Sequence, residues 1–220
     1  MDSDQLRDVV ANLNLDRRPS IIIIPLPGQM PGQYMPEHDN RILRTLQTWR
    51  TCYYVGCDVQ ILCSSGTADS TGLTVAEYMK RQLLHYGGLD ATYIKALEKD
   101  IIIGERTSAH TAGQFLGLKD YLRQRHAEDT LDLVILVSNW WHLAIARVYF
   151  ARLVGLPYVI DASSGRGALG LPWPLYLARQ VVHLLVALIF DRSGHLLDRI
   201  SASRIEGSAK HTLPSIPPQP

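Results

Sequence analysis

The chain has 220 residues, of which 46% are hydrophobic and 20% charged, and 22 basic against 21 acidic side chains give a formal net charge of +1. This length and composition suit a domain with a substantial core. Acids and bases are intermixed, and no basic stripe or RNA-type aromatic motif occurs, so nucleic acid is not expected as a partner. The cysteines Cys52, Cys57 and Cys63 lack zinc-type spacing and suit reduced thiols. We therefore predict a cytoplasmic protein, with a peripheral position at a membrane left open.

The chain divides into three parts. Residues 1–19 are charged and lack the apolar segment of a signal peptide. Helical spacing of four apolar residues predicts a short amphipathic helix there: Leu6, Val9, Val10 and Leu13. An α/β domain is predicted over residues 20–200. Residues 201–220 are rich in Ser and Pro and predict a disordered tail.

Short aliphatic runs recur along the domain, and polar residues follow each of them directly. Four runs predict strands that are buried on both faces: 21–24, 59–62, 101–103 and 133–137. A fifth strand is predicted over 158–160, ending at Asp161. Helical patterns separate the runs, which is typical of right-handed crossovers. The predicted fold class is α/β, Rossmann-like, with a mainly parallel sheet of about five strands and helices on both faces.

Four helices are predicted between these strands. Asn40 can cap the first, which carries apolar residues on one side: Ile42, Leu43, Leu46 and Trp49. The second covers 74–86 and ends at Gly87-Gly88. The third begins at Thr111 and the fourth at His142.

The segment 171–190 is the most apolar part of the chain. A membrane-spanning helix needs about 20 mostly apolar residues, and Arg179 and His183 interrupt this segment, so a span is not expected. A helix packed on the sheet, a homodimer interface, and binding to a membrane surface with Trp173 and Tyr176 at the interface are three open alternatives.

The polar stretches that follow the strands predict one ligand site. In an open parallel sheet, ligands bind outside the carboxyl ends of the strands, so stretches far apart in sequence meet there. Ser64, Ser65, Gly66 and Thr67 form a turn whose backbone N–H groups could cradle an anion. An ordinary tight turn is the alternative. The turn is neither a Walker loop nor a G-x-G-x-x-G motif, so it implies no particular nucleotide.

Two residues are candidates for acid–base chemistry. Glu105 directly follows a strand, where a carboxylate can act as a general base, bind a metal or hold a ribose hydroxyl; a helix N-terminal contact or an ion pair with Arg41 or Arg106 is the structural alternative. His142 lies near a helix N-terminus, which favours the neutral ring that accepts a proton. Ser108 and Thr111 are candidate ligand contacts, and helix capping is the alternative for each.

Other chemistry is less well supported. No G-x-S-x-G motif marks a serine hydrolase. The residues His38, His110, His142 and Glu105 lack metal-site spacing, so no metal is predicted. Cys63 could be a nucleophile, although a small buried residue is the plainer interpretation. The adjacent residues Trp140 and Trp141 could wall a ligand or pack in the core.

Residues at four places make the chain similar to the YdcF-like family (domain of unknown function 218), which includes the SanA and ElyC proteins. The similarity covers about residues 21–161. It rests on these residues: Arg41; Ser64-Ser65-Gly66 with Glu77; Glu105-x-x-Ser108-x-x-Thr111; and Ser138-Asn139-Trp140-Trp141-His142. The chain departs from the family pattern at other positions: His110, Gly113, Gln114 and Ile145.

The resemblance implies a Rossmann-like fold and a link to cell-envelope biogenesis, and one member has been linked to S-adenosylmethionine binding. Together with the residues, it leads to two hypotheses. The first is an enzyme, a hydrolase or transferase, that acts on a small phosphorylated or nucleotide-like molecule. Glu105 and His142 would be catalytic, and Arg41, Ser138 and Asn139 would join the turn residues as ligand contacts. The second is a non-catalytic binding module for S-adenosylmethionine or a lipid-linked envelope precursor.

Overall fold

A single parallel sheet organises the structure. The computed structural model describes residues 3–13, 16–26, 36–64, 71–86, 90–104, 111–125, 130–162 and 173–190. The strands within these ranges are β1 (Ser20–Pro25), β2 (Asp58–Cys63), β3 (Ile101–Ile103), β4 (Leu133–Ser138) and β5 (Tyr158–Ala162). All neighbouring strands pair in parallel, in the order β3-β2-β1-β4-β5. The predicted α/β, Rossmann-like class is thereby confirmed.

Helices cover both faces of this sheet. They are α1 (Ser3–Ala11), α2 (Pro36–Val55), α3 (Val75–Tyr86), α4 (Ala91–Asp100), α5 (Thr111–Gln124), α6 (Trp140–Leu153) and α7 (Trp173–Ile189). The helices α1 to α4 enclose one apolar core with the sheet. The helices α5 and α6 enclose a second core on the opposite face, and α7 packs on α6 at its margin.

The isoleucine run of β1 supplies both cores. Ile21 and Ile23 belong to the α1–α4 core, whereas Ile22 and Ile24 belong to the α5–α6 core. All four are at most 3% exposed. Because successive strand residues point to opposite faces, a central strand covered on both sides needs apolar residues at every position. Burying each such side chain contributes on the order of 1.5–3 kcal/mol.

Two predictions about the elements were wrong, and one helix was not predicted. β3 is not buried on both faces, because it lies at the sheet edge and its Ile103 is 38% exposed. α2 begins at Pro36, so Asn40 lies inside the helix and does not cap it. The sequence analysis missed α4, whose N-cap Asp90 accepts a hydrogen bond from the Thr92 backbone N–H at 2.7 Å.

Other helix ends follow the expected local chemistry. α3 spans nearly the predicted 74–86, and Thr74 and Glu77 form a capping box at its start. Glu77, one of the residues behind the family resemblance, therefore has a structural role. α2 ends at Gly56, whose φ of 91° is a left-handed conformation that glycine adopts without strain.

The structure describes the N-terminal helix but not the last residues of the chain. The predicted N-terminal amphipathic helix is α1, which packs on α2 and buries its Leu6 and Val10 in the α1–α4 core. The predicted tail, residues 201–220, lies outside the described residues. Among the helices that the structure describes, none is both long enough and apolar enough to cross a membrane.

Candidate functional site

The sheet order defines where a ligand crevice can form. The chain runs from β1 outward to β2 and β3, and then returns to β4 beside β1 before continuing to β5. The helices after β1 and β4 lie on opposite faces of the sheet. Their N-termini therefore diverge at the carboxyl ends of these two strands. This switch in strand order is where open α/β sheets bind their ligands.

Arg41 brings a buried positive charge to this switch point. It lies in the second turn of α2 and is 3% exposed. Its Nη1 donates a hydrogen bond to the Leu26 carbonyl at 2.7 Å, directly after β1. The Leu26 backbone N–H donates in turn to the Val137 carbonyl of β4 at 2.9 Å. The guanidinium is thus fixed against the carboxyl ends of β1 and β4.

His142 is held on the other side of the switch point by three polar residues. Its backbone N–H donates to Asn139 Oδ1 at 2.8 Å, so Asn139 is the N-cap of α6. Ser138 Oγ lies 3.0 Å from His142 Nδ1, and Thr111 Oγ1 lies 2.7 Å from His142 Nε2. A neutral imidazole has one N–H donor and one acceptor nitrogen. One hydroxyl therefore donates to the ring and the other accepts from it.

The environment of His142 keeps its ring uncharged. Burial, the positive charge of Arg41 and the nearby His183 lower the pKa of His142 to about 3. At neutral pH the imidazole can accept or relay a proton, but it holds one only weakly. The pKa shift also places His183 of α7 near this site. Four predicted site residues, Thr111, Ser138, Asn139 and His142, are thus brought together.

His38 is a second buried histidine at the start of α2. Its ring is stacked on Tyr78 of α3, with centroids 5.8 Å apart. Burial and the charge of Arg41 lower the pKa of His38 to about 4, and the Gln82 side chain opposes this shift. Neither ring nitrogen has a well-formed hydrogen bond among the described residues. Sequence reasoning weighed His38 only as a metal ligand. Its position three residues before Arg41 on the same helix was the signal that could have linked the two.

Two further buried polar atoms lack partners in the described parts of the chain. Ser64 follows β2 and is 2% exposed, and its Oγ has no hydrogen-bond partner there. The same holds for Oε1 of Gln114, in the first turn of α5. Buried polar atoms are nearly always hydrogen-bonded, so the partners of these two atoms belong to a ligand, to water or to parts of the chain outside the described residues. The sequence analysis noted Gln114 only as a departure from the family pattern.

Gly104 allows the ends of β2 and β3 to approach each other closely. Its backbone N–H donates to the Cys63 carbonyl at 2.8 Å. A Cβ at position 104 would lie 3.0 Å from the Cβ of Ser64. The predicted residues Ser65, Gly66, Thr67, Glu105 and Ser108 lie outside the described residues. Because all five strands are parallel, the segments that follow β2 and β3 leave the sheet at the same edge as His142.

The structure supports the plainer interpretation of Cys63 and overturns core packing for Trp140. Cys63 is fully buried in the α1–α4 core, and burial raises the pKa of its thiol to about 12, which is unsuited to a nucleophile. Trp140 is 53% exposed and contacts the Trp141 ring, so it does not pack in the core. Among the described residues, no group of three or more His, Cys, Asp or Glu side chains could hold a metal ion.

The chain matches no protein-family model, no curated protein and no solved structure at a significant level. The resemblance to the YdcF-like family therefore stays a prediction, and functional inference depends on the geometry of the site.

Proposed function

We propose that the chain binds a small phosphorylated or nucleotide-like molecule at the carboxyl ends of β1 and β4 and acts on it through Glu105 and His142. The observation that carries this proposal is the buried Arg41 guanidinium at the switch point. Buried polar atoms of His38, Ser64 and Gln114 accompany it without partners in the described residues. Arginine binds phosphate with several N–H donors, which suits this position.

The charge of Arg41 supports an anionic ligand. It contributes to lowering the pKa of both His38 and His142, so its field reaches residues of both helical layers. A bound phosphate would offset that field. The pKa of each histidine would then rise toward its ordinary value, because the imidazolium form would be opposed less strongly. Ligand binding would thereby make His142 a more effective proton acceptor.

The hydrogen bonds of His142 offer a route for a proton. The ring lies between the hydroxyls of Thr111 and Ser138, at 2.7 and 3.0 Å. A proton that reaches one hydroxyl can pass to the ring while the other hydroxyl fixes the tautomer. In the proposal, Glu105 is the second acid–base group, at the end of β3. Turnover would then require a carboxylate and a neutral imidazole at the same edge of the sheet.

One observation favours the alternative, a non-catalytic module for S-adenosylmethionine or a lipid-linked envelope precursor. The pKa of His142 is about 3, and both of its ring nitrogens contact hydroxyls. A ring in this state is a weak base and a good structural contact. In this alternative, the same residues bind the ligand and no bond in it is broken.

Phosphate binding can be measured through the two histidines. NMR titration of the imidazole signals with inorganic phosphate should shift His38 and His142 saturably and raise both pKa values. Arg41→Gln should abolish the response, whereas Arg41→Lys should keep part of it because the charge remains. Arg50→Gln, the same change elsewhere on α2, is the control and should respond as the wild type does. Unchanged histidine signals in the folded wild type would reject the proposal.

A second measurement separates the enzyme from the binding module. Phosphomonoesters such as AMP and the methyl donor S-adenosylmethionine would be assayed for turnover and, in parallel, for binding by calorimetry. Turnover that disappears in Glu105→Gln while binding persists would favour the enzyme. Saturable binding without turnover in the wild type would favour the module.

A further inference from the structure

The helix α7 has a broad apolar face that none of the residues the structure describes covers. Seven large side chains on this helix and the residue after it are between 38% and 71% exposed: Leu175, Val181, Val182, Leu185, Leu188, Ile189 and Phe190. We refer to these residues as the α7 face. Several large apolar side chains exposed on one helix are typical of a surface that another molecule covers.

The opposite side of α7 is anchored to the domain. Leu184 packs against the α5–α6 core. Arg152 Nη2 of α6 donates a hydrogen bond to the Leu188 carbonyl at 3.3 Å. α7 therefore rests on α6 by one side, and the uncovered face belongs to a helix held at the margin of the domain.

Charge is distributed unevenly in the part of the sequence that contains α6 and α7. The whole chain has 22 basic and 21 acidic residues, yet residues 140–190 contain four arginines and a single acid. That acid, Asp161, is fully buried and forms an ion pair with Arg44 of α2 at 2.7 Å. Arg147 is exposed on α6, in line with the exposed Trp140 two turns before it. The α6–α7 layer thus combines exposed apolar residues and arginine without an exposed acid among its described residues.

We propose that the α7 face, together with Trp140 and Arg147, docks on an anionic lipid surface. Apolar side chains would enter the boundary between headgroups and acyl chains, and arginine would meet the anionic headgroups. Tryptophan, with an apolar ring and one N–H donor, is suited to that boundary. The helix would lie on the surface, because no helix among the described residues is long and apolar enough to cross a membrane.

Charge complementarity favours lipid over a second copy of the chain. In a symmetric dimer, the same surface meets itself. If that surface includes α6, its exposed residues Arg147 and Arg152 would then approach their own copies without an exposed acid among the described residues of α6 and α7 to oppose them. An anionic bilayer supplies the missing negative charge.

Docking would also orient the candidate site. Trp140 lies in the first turn of α6, two residues before His142, and His183 of α7 is close enough to His142 to affect its pKa. A bilayer on the α7 face would therefore lie beside the carboxyl edge of the sheet. The docking proposal does not depend on which ligand that edge binds.

Co-sedimentation with vesicles tests the proposal. The full chain should pellet with an equimolar mixture of phosphatidylcholine and phosphatidylglycerol and should bind phosphatidylcholine alone roughly tenfold less well. The double variant Val181→Glu/Leu185→Glu should weaken binding by roughly tenfold or more, as should Arg147→Glu. Val55→Glu on α2 is the matched control, because Val55 is 42% exposed and Val181 48%. It should bind as the wild type does.

The remaining outcomes each overturn the proposal. Equal binding by the control and the double variant would show that the α7 face is not the contact. A concentration-dependent dimer that ignores vesicles and dissociates in the double variant would assign the face to a second copy. If the protein is a monomer and binds neither kind of vesicle, the α7 face must be covered by residues 191–220 or by another protein. Circular dichroism melts establish that each variant is folded, and Arg147→Glu supplies a test that changes no apolar residue.

Discussion

Arg41 and His142 come from helices on opposite faces of the sheet, yet burial and the charge of Arg41 together lower the pKa of His142 to about 3. The interaction crosses the carboxyl ends of β1 and β4. A ligand at this point would therefore contact both helical layers at once. The predictions below test the site, its helix cap, its strand ends and the ion pair that holds β5 to α2.

Acid should destabilise the protein partly through His38 and His142, whose pKa values are lowered in the folded state. The ordinary pKa of 6.5 falls to about 4 for His38 and about 3 for His142. Between these values the unfolded chain binds protons that the native state excludes. The stabilisation is fully present above the unfolded pKa and is lost as the pH falls, by up to about 1.4 kcal/mol per pH unit for each histidine. Urea unfolding of wild type and His38→Gln between about pH 7 and pH 5 measures this. If the free energy of unfolding has the same pH dependence in the wild type and in His38→Gln, the lowered pKa of His38 is contradicted.

His142→Ala should impair ligand binding more than folding. The substitution removes the ring from Thr111 and Ser138, whose hydroxyls then need other partners, such as water in the space that the ring leaves. We expect a loss of about 1–2 kcal/mol in the free energy of unfolding. The phosphate affinity should fall roughly tenfold or more. The His38 imidazole signal provides the readout in this variant. An early melting transition combined with unchanged phosphate affinity would assign His142 a purely structural role.

Asn139→Ala tests whether the cap of α6 positions His142. Loss of an N-cap costs about 1 kcal/mol. Asp90→Ala is the matched control, because Asp90 caps α4 through the same kind of hydrogen bond. Both variants should lose similar stability in chemical unfolding. Only Asn139→Ala should weaken the phosphate response of His142. Equal phosphate responses in the two variants would show that the N-cap of α6 does not position His142.

Asp161→Asn should be strongly destabilising. Asp161 is fully buried, pairs with Arg44 at 2.7 Å and accepts a hydrogen bond from Thr48. Removing one partner of a buried ion pair leaves the other charge uncompensated, at a cost of about 3 kcal/mol. Asp4→Asn is the control, since the Asp4–Arg7 pair is exposed and should contribute little. The two variants are compared by their urea midpoints. If these midpoints agree within error, the Asp161–Arg44 ion pair does not stabilise the contact between β5 and α2.

Gly104→Ala should crowd the carboxyl ends of β2 and β3. The added methyl would lie 3.0 Å from the Ser64 Cβ, so one of the two segments must shift. We expect a loss of about 1 kcal/mol or more. Ser64→Gly in the same chain should recover most of it, since the atom that obstructs the methyl is then absent. A double-mutant cycle measures the coupling, and strictly additive effects would argue against the close approach.

The sequence predicted those features that depend on burial pattern. The run of four isoleucines in β1 could be interpreted because a central strand covered on both faces is apolar throughout. β3 has the same kind of residues but lies at an edge, and composition alone does not distinguish these positions. The start of α2 was placed too late because Asn40 is a good capping residue. α4 was missed because ten residues between a capping aspartate and a strand give only a short helical pattern.

The sequence predicted only part of the candidate site, because the prediction relied on the residues that follow the strands. Thr111, Ser138, Asn139 and His142 do come together, because each follows a strand or begins the next helix. His38 and Gln114 were not proposed as ligand contacts. Their relevance follows from burial without a hydrogen-bond partner in the described residues, and such burial is decided by tertiary packing.

The pairing of β1 with β4 has a consequence for synthesis on the ribosome. Ile21 lies opposite Leu133, and Pro25 opposite Val137, so the central pair of the sheet joins residues more than a hundred positions apart. Until β4 leaves the exit tunnel, β1 has a paired neighbour on only one side, and its other edge can accept a strand from another nascent chain. The last of the site residues emerge with α6. From Cys63 at the end of β2 until Leu133 at the start of β4, the growing chain therefore carries an unfinished sheet, which must be protected before its central strand pair can close.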